Sequence, residues 1–308
     1  MNDQISIREA VTETDVASFW EQLRIYQKRD LFPDPEDGEL DYFLSEEYHE
    51  QVETLHCRRK DPLHYLFFCR DGQDIGFAMP VIYASEDSKC FILEFCVFPE
   101  YRGNGAGSRC AEALLRWSAA RGAAYWELNC NTAQRRRFWS RLGFLPNGAD
   151  EWGEPLMLRP PEASLPFTVE KLTDPANWQL MKLENGFLAE VGEEPLSEKK
   201  QQRLKEAVRD GKITFFLARR GYRAVGLCSV SPCYSTFACA ETGVFDDFFV
   251  EPAFRHRGIA RQLVSAARDW AEENALSGLT VGCADGDVEM YRSLGFDVRL
   301  GTMLALTL

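Results

Sequence analysis

The stretch Phe245-Asp246-Asp247-Phe248-Phe249-Val250-Glu251-Pro252-Ala253-Phe254-Arg255-His256-Arg257-Gly258-Ile259-Ala260 decides the reading of this chain. An apolar strand with two embedded carboxylates runs into a turn, then an Arg-x-x-Gly-x-Ala loop, and at once a helix. Free backbone N–H groups and a helix N-terminus meet at that point, an arrangement suited to a pyrophosphate. Small residues at Gly258 and Ala260 let amides approach an anion without side-chain interference. One glycine turn carries little weight; a second copy carries more. Phe95-Cys96-Val97-Phe98-Pro99-Glu100-Tyr101-Arg102-Gly103-Asn104-Gly105-Ala106-Gly107 repeats the strand, the proline, an aromatic residue, the arginine and the glycines.

The two copies stay in register over most of a domain. Pro99 and Pro252, Arg102 and Arg255, Gly105 and Gly258, and Trp117 and Trp270 are each 153 positions apart. Leu142-Gly143-Phe144 and Leu294-Gly295-Phe296 are 152 apart, and Gly76 and Gly226 are 150 apart, a drift that small loop insertions produce. In a chain of 308 residues this period means two similar domains rather than a solenoid. The proline-rich segment Arg159-Pro160-Pro161-Glu162-Ala163-Ser164-Leu165-Pro166 denies both helix and central strand and marks the join.

Each half alternates strands and helices. In the second, strands are expected at residues 167–172, 213–218, 224–230, 244–250, 279–283 and 303–306, and helices at 178–191, 198–209, 259–274 and 288–294. The helix from Ile259 has Leu263, Ala266, Ala267, Trp270 and Ala271 on one apolar face. The first half follows the same order, with strands near 5–8, 65–69, 75–81, 92–97 and 126–130. Such mixed patterns predict α/β or α+β sheets flanked by helices.

Hydrophobic content of 45% supplies two ordinary cores, and no apolar run approaches the roughly 20 residues of a membrane span. The start, Met1-Asn2-Asp3-Gln4-Ile5, has neither the basic nor the apolar region of a secretory signal. Ten cysteines without a C-x-x-C pair, among them Cys69, Cys96, Cys130, Cys228 and Cys283 in apolar stretches, and four histidines without ligand spacing predict no metal site and a reducing, cytoplasmic setting. A net charge of −13 argues against nucleic acid as a partner. The run Arg135-Arg136-Arg137 is read as a helix face or a phosphate contact, and the state as monomer or homodimer.

With these motifs the chain resembles a tandem member of the GNAT superfamily of acetyl-CoA-dependent N-acetyltransferases. The family motif Q/R-x-x-G-x-G/A stands here as Arg102-x-x-Gly105-x-Gly107 and Arg255-x-x-Gly258-x-Ala260, and Tyr-x-x-x-Gly-Phe as Tyr291-Arg292-Ser293-Leu294-Gly295-Phe296. A dinucleotide-binding G-x-G-x-x-G would follow the first strand of its unit, whereas these loops follow the fourth. The resemblance implies an α/β (α+β) fold of two tandem domains, residues 1–159 and 167–308 with a linker at 160–166, each a mixed, centrally splayed sheet flanked by helices. It implies direct transfer of an acetyl group from acetyl-CoA to a primary amine of a small molecule or peptide. The cofactor would be held by Phe248, Phe249 and Val250, mainly through main chain, and by Arg255, His256, Arg257, Gly258, Ile259 and Ala260, with arginine charge offered to its phosphates. An N–H near Val250 would stabilise the oxyanion. Phe95, Val97, Arg102, Gly103, Asn104, Gly105, Ala106 and Gly107 form a second candidate set. Trp139 stands where the second half has Tyr291, and Ala284 where the family often has Asn. The first domain is therefore expected to be degenerate and the second catalytic. A non-catalytic acetyl-CoA-binding protein and a protein with both halves active, Glu94 serving the first, are the alternatives.

An amine must lose a proton before it attacks the thioester. The segment Asp246 to Val250 resembles the acidic strand of polyamine acetyltransferases, and by that match Asp246 is the first candidate base, Asp247 the second and Glu241 the third. Strand neighbours point oppositely, so one of the pair is expected to face solvent unless a bulge intervenes. Tyr291 fits a hydrogen-bond donor to the departing thiolate. The acceptor would be set by residues 183–211 and 232–240, where Glu184, Glu190, Glu193 and Glu194 point either to a cationic ligand or, the favoured reading, to a solvated helix end.

Overall fold

The computed structural model describes residues 4–34, 38–150, 152–161 and 166–301. The chain divides into two compact units, Met1–Glu162 and Ala163–Leu308. Residues 162–165 of the expected linker and the expected closing strand at 303–306 lie outside the described residues.

The first unit runs β1 (Ser6–Glu9), α1 (Glu13–Tyr26), a π-helical turn (Gln27–Leu31), α2 (Gly38–Phe43), α3 (Glu46–His56), β2 (Leu66–Arg70), β3 (Gln73–Tyr83), β4 (Lys89–Val97), α4 (Ala106–Ala119), β5 (Tyr125–Asn129), α5 (Ala133–Ser140), β6 (Leu145–Ala149) and β7 (Pro155–Arg159). The second runs β8 (Thr168–Lys171), α6 (Trp178–Val191), α7 (Glu198–Arg209), β9 (Thr214–Arg220), β10 (Arg223–Ser235), β11 (Ala240–Val250), α8 (Ile259–Glu273), β12 (Leu279–Val281) and α9 (Val288–Ser293). Among the described residues, the first sheet has seven strands in the order β1-β2-β3-β4-β5-β7-β6, and the second has five in the order β12-β11-β10-β9-β8.

Local chemistry sets the helix limits. Thr12 caps α1 by accepting from the Asp15 N–H, and Asn177 caps α6 by accepting from the Gln179 N–H. Gly192, left-handed at φ +80°, ends α6. The sheet of the first unit is covered on both faces, as period-2 alternation requires. Leu66 and Phe68 enter the core beneath α4, while Tyr65 and Phe67 enter the aromatic core with Phe19 and Trp20 of α1.

Both sheets are mixed and both splay at the same place. Strands β4 and β5 pair in parallel only from Lys89 to Phe91, and β11 and β12 only from Gly243 to Phe245. Beyond these points β4 runs on to Val97 and β11 to Val250 without a ladder on that side among the described residues. The other side of each long strand stays paired, and there Gly76 and Gly226 are in register with Val97 and Val250. A Cβ at Gly76 would stand 2.3 Å from the Cys96 carbonyl oxygen, and one at Gly226 2.9 Å from that of Phe249. The repeated glycine thus marks one tight backbone approach, made twice.

The end of β11 is fixed by charge. Glu251 is 4% exposed and accepts hydrogen bonds from Arg223 Nε (3.0 Å) and Nη2 (2.7 Å), with Arg223 itself fully buried. Lys182 Nζ of α6 reaches the same carboxylate at 3.0 Å. The corresponding residue of the first unit is Phe98, packed against Phe77. Glu251→Ala would leave two cations facing a void. We expect it to destabilise the second unit by about 3–5 kcal/mol. Denaturant unfolding followed through Trp178 and Trp270 checks this; a loss under about 1 kcal/mol would show that the cluster contributes little net.

Candidate active site

At the end of β11 the chain turns through Pro252–Phe254 and enters α8 with Gly258 as N-cap, left-handed at φ +81°. No side chain caps this helix, and nothing lies within 4 Å of where a Gly258 Cβ would be. The first-turn amides therefore face open space at the positive end of the helix dipole, a cradle that fits a phosphate. His256 is also left-handed, at φ +61°, a costly conformation for a residue with a Cβ. Gly103 and Gly105, the matching positions in the first unit, have φ of +89° and +74°. The two loops share one shape.

A cavity of about 650 Å³ opens beside the loop, lined by Phe248, Phe249, Val250, Arg255, His256, Gly258, Ile259 and Ala260, and by Met290, Ser293 and Leu294 of the α9 region. Of the expected second-half set, Arg257 is not in this lining; its guanidinium lies over the Phe254 ring. The geometry of Arg255 is structural. Its Nε donates to the Val250 carbonyl at 2.9 Å and its guanidinium pairs with Glu190 on α6. Arg102 repeats this, with Nε donating to Val97 O at 2.8 Å and a pair to Asp30. In both units the motif arginine fastens strand end, loop and first helix together.

The two carboxylates of β11 separate at a bulge. Leu227 pairs with Phe249 but Ser229 with Asp246, so Asp247 and Phe248 together oppose Cys228. Asp247 takes φ +46°, is half-buried and accepts from Ser229 Oγ at 2.7 Å, whereas Asp246 is exposed. The resemblance ranks Asp246 first; the bulge turns Asp247 inward and leaves Asp246 exposed. Burial raises the Asp247 carboxyl above its ordinary range, against the lowering effect of the Ser229 hydrogen bond. Glu241 stands exposed near the other end of the strand. In the first unit β4 has its own bulge at Leu93–Glu94, and burial pushes Glu94 up to about 8.

Tyr291 of α9 packs between Phe248 and Phe296, with both ring centroids at 5.9 Å. Burial, then Asp287, pushes its phenol up to about 12. Trp139 has the same neighbours in the first unit, Phe95 at 5.1 Å and Phe144 at 5.0 Å. It is 6% exposed, so an indole fills the place that a phenol holds in the second unit. The residue before it also differs. Phe138 lies 3.2 Å from where a Gly107 Cβ would be, over the first turn of α4, while its counterpart Met290 lines the second-unit cavity. Gly107 accommodates that ring. Among the other first-unit candidates, the Asn104 carbonyl accepts from Arg109 Nη1 at 2.8 Å and the Ala106 N–H is bonded to Gly103 O.

Sequence reasoning named Glu184 but missed its burial. It is not at a solvated helix end but buried in α6, 6% exposed, beside Asp247 and Asp246. Its spacing four residues after Leu180 and one after Leu183 on an apolar stripe was the available signal. Burial, reinforced by the two aspartates, pushes its carboxyl up to about 8. The segments expected to set the acceptor are mostly regular structure: residues 183–211 are largely α6 and α7, and 232–240 form the hairpin joining β10 to β11. Arg135 sits on α5 and donates to the Asp30 carbonyl at 3.2 Å. Of the cysteines expected in apolar stretches, Cys283 is exposed beyond β12. No described helix is long and apolar enough to cross a membrane.

The sequence matches the Acetyltransferase (GNAT) family twice, over residues 20–144 and 177–296. Solved structures that this chain matches include an aminoglycoside acetyltransferase, meta-AAC0020, from an uncultured soil metagenomic sample, at 17% identity and TM-score 0.42, covering 46% of this chain and 96% of that one. A predicted acetyltransferase with acetyl-CoA from Clostridium acetobutylicum gives 15% identity and 0.41, covering 46% and 96%. PaiA N-acetyltransferase from Thermoplasma acidophilum, in complex with coenzyme A, gives 18% and 0.41, covering 51% and 99%. No curated protein matches the sequence. Matched in both halves, the chain belongs to the GNAT family and is a tandem acetyltransferase.

Proposed function

We propose that the second unit transfers the acetyl group of acetyl-CoA directly to a primary amine of a small molecule or peptide, and that the first unit is degenerate. The observation that carries this reading is the cavity at the splayed end of β11. It joins an uncapped, glycine-opened helix N-terminus to the end of a strand that has no ladder partner on that side among the described residues; Tyr291 packs on its lining residue Phe248, and Asp247 precedes Phe248 in the chain. The α8 amides hold the pyrophosphate. The unpaired edge of Phe248 to Val250 receives the amide-bearing arm as an added strand, and an N–H near Val250 meets the oxyanion. Asp247 takes the proton of the incoming amine, its raised affinity bringing it nearer the operating pH.

Tyr291 then donates a hydrogen bond to the leaving thiolate. A phenol at about 12 facing a thiol near ~8.5 makes complete proton transfer uphill by about 5 kcal/mol. The phenol thus stays a phenol, and solvent completes protonation. The first unit repeats the cradle but has Trp139 at the donor position and Phe138 over Gly107. An indole N–H donates but cannot accept, and it is a poor proton source.

Three outcomes test this. Gly258→Glu is expected to abolish acetyl-CoA binding in calorimetry, while Gly258→Ala, which imposes the same left-handed strain without the charge, weakens it far less. Unchanged affinity in a folded Gly258→Glu protein would place the cofactor elsewhere. Tyr291→Phe is expected to lower kcat by about tenfold to a thousandfold with little change in cofactor Kd. Asp247→Asn is expected to lower kcat by about 10²–10⁴, and Asp246→Asn to leave it within about threefold. Steady-state kinetics under rate-limiting chemistry decide both, and a larger loss for Asp246→Asn would return the base to the exposed residue.

A further inference from the structure

The bulge turns Asp247 inward, but a residue with a Cβ at φ +46° does not keep such a place without support. The support comes from the neighbouring strand. Ser229 of β10 is fully buried, and its hydroxyl donates to Asp247 Oδ2 at 2.7 Å. Ser229 is in register with Asp246, yet its side chain meets the residue after it. A buried hydroxyl without a partner costs free energy, so serine and aspartate fix one another. The titratable groups that face Asp247 are Asp246 on its own strand, Cys228 on β10 and Glu184 on α6. All three are acids, and none offers a counter-charge. Burial works against the charged form of Asp247, and the Ser229 hydroxyl is the one group among the described residues that favours it.

The first unit supplies the comparison. Glu94 stands 153 positions before Asp247, at the bulge of β4, and is in register with Met79, which stands 150 before Ser229. A thioether has no proton to donate. The two units thus share the bulge and the inward carboxyl but differ in the residue opposite.

We propose that Ser229 is a positioning residue of the transfer reaction: its hydroxyl holds the Asp247 carboxylate at the bulge so that one oxygen stays open to the proton of the incoming amine. The proposal rests on the acetyl-transfer reading of this unit and deepens it. With Oδ2 taken by the Ser229 hydroxyl, Oδ1 is the oxygen left for that proton. As the nitrogen lone pair forms the C–N bond to the thioester carbonyl carbon, the C–S bond breaks with its electron pair on sulfur. The proton of the nitrogen passes to Asp247 Oδ1 and from there to solvent. Solvent protonates the thiolate, so one amide and one thiol result. Ser229 keeps its own proton throughout, since a protonated carboxyl still offers Oδ2 as an acceptor. The serine acts through the aspartate and touches no reacting atom.

The test uses the full chain with carbon-13 in its aspartate and glutamate carboxyls, Asp247 being assigned through Asp247→Asn. In wild type Asp247 is expected to titrate at lower pH than Glu94. In Ser229→Ala its midpoint is expected to move upward by about one pH unit, because a hydrogen bond to the charged form is lost. Ser229→Cys, nearly the same size but with a weak donor, should move it in the same direction by less. In turnover with acetyl-CoA and n-butylamine as the probe, Ser229→Ala should carry the acidic limb of kcat/KM upward by the same interval. It should lower the plateau by roughly threefold to thirtyfold and leave the KM of acetyl-CoA within about twofold. A serine that served packing alone would lower the plateau and leave the limb in place, and that result overturns the proposal. So does an Asp247 midpoint unmoved in both variants. A wild-type midpoint at or above that of Glu94 overturns it too, and this is read whether or not a variant folds. Asp247→Asn turning over n-butylamine at the wild-type rate would instead defeat the choice of base. The carboxyl titration still tells, then or if n-butylamine proves no acceptor, whether the serine holds Asp247.

Discussion

The carboxylate of Glu251, closed in by Arg223 and Lys182, is the constraint on which the second unit depends. It stands at the last residue before the Pro252 turn, so it fixes where β11 stops and the direction in which the glycine loop leaves. Its partners come from the start of β10 and from the middle of α6, and one ion cluster thereby sets three elements at once. Arg255 extends the restraint on the far side of the turn, tying the Val250 carbonyl to Glu190. A bidentate arginine pair is directional, and direction is what a cradle of backbone amides needs, because its affinity for an anion depends on where the N–H groups point.

The two units show what such a frame permits. Arginine, tight glycine, strand bulge and left-handed loop recur in both, and these features concern the backbone. What differs is side chain: Phe98 against Glu251, Phe138 against Met290, Trp139 against Tyr291. Phe98 and Phe138 put rings where the second unit has a carboxylate and a flexible thioether, and Trp139 puts an indole where it has a phenol, within the same pair of phenylalanine neighbours.

Much of this was legible before any coordinates. The repeat fixed two units, and α6 and α7 begin and end at the residues that periodicity gave, because capping residues and apolar stripes are local signals. The loop was legible through its glycines, whose positive φ no other residue adopts cheaply. Which of Asp246 and Asp247 turns inward was not, since a bulge depends on the neighbouring strand and inverts the facing beyond it. The burial of Glu184 was not legible, because its charge suggests a solvated helix end although its spacing puts it on the apolar stripe. The roles of Arg255 and Glu251 were hidden for the same kind of reason: their partners lie 65 and 28 positions away in sequence. In the first unit β6 and β7 were not anticipated, β6 being a poor strand former with Pro146 and Gly148 that pairs only with β7.

The short parallel pairing of β11 with β12 carries a consequence for how the second unit behaves in a cell. A sheet that parts after Phe245 is short of hydrogen bonds by design, and a bound molecule that fills the gap becomes in effect its missing strand. The free energy of that filling is added to the folded state alone, about 2.7 kcal/mol when the ligand stands at a hundred times its dissociation constant. The lifetime of this unit against unfolding and proteolysis would then rise and fall with supply of its own substrate, tying the abundance of the protein to the metabolic state that it serves.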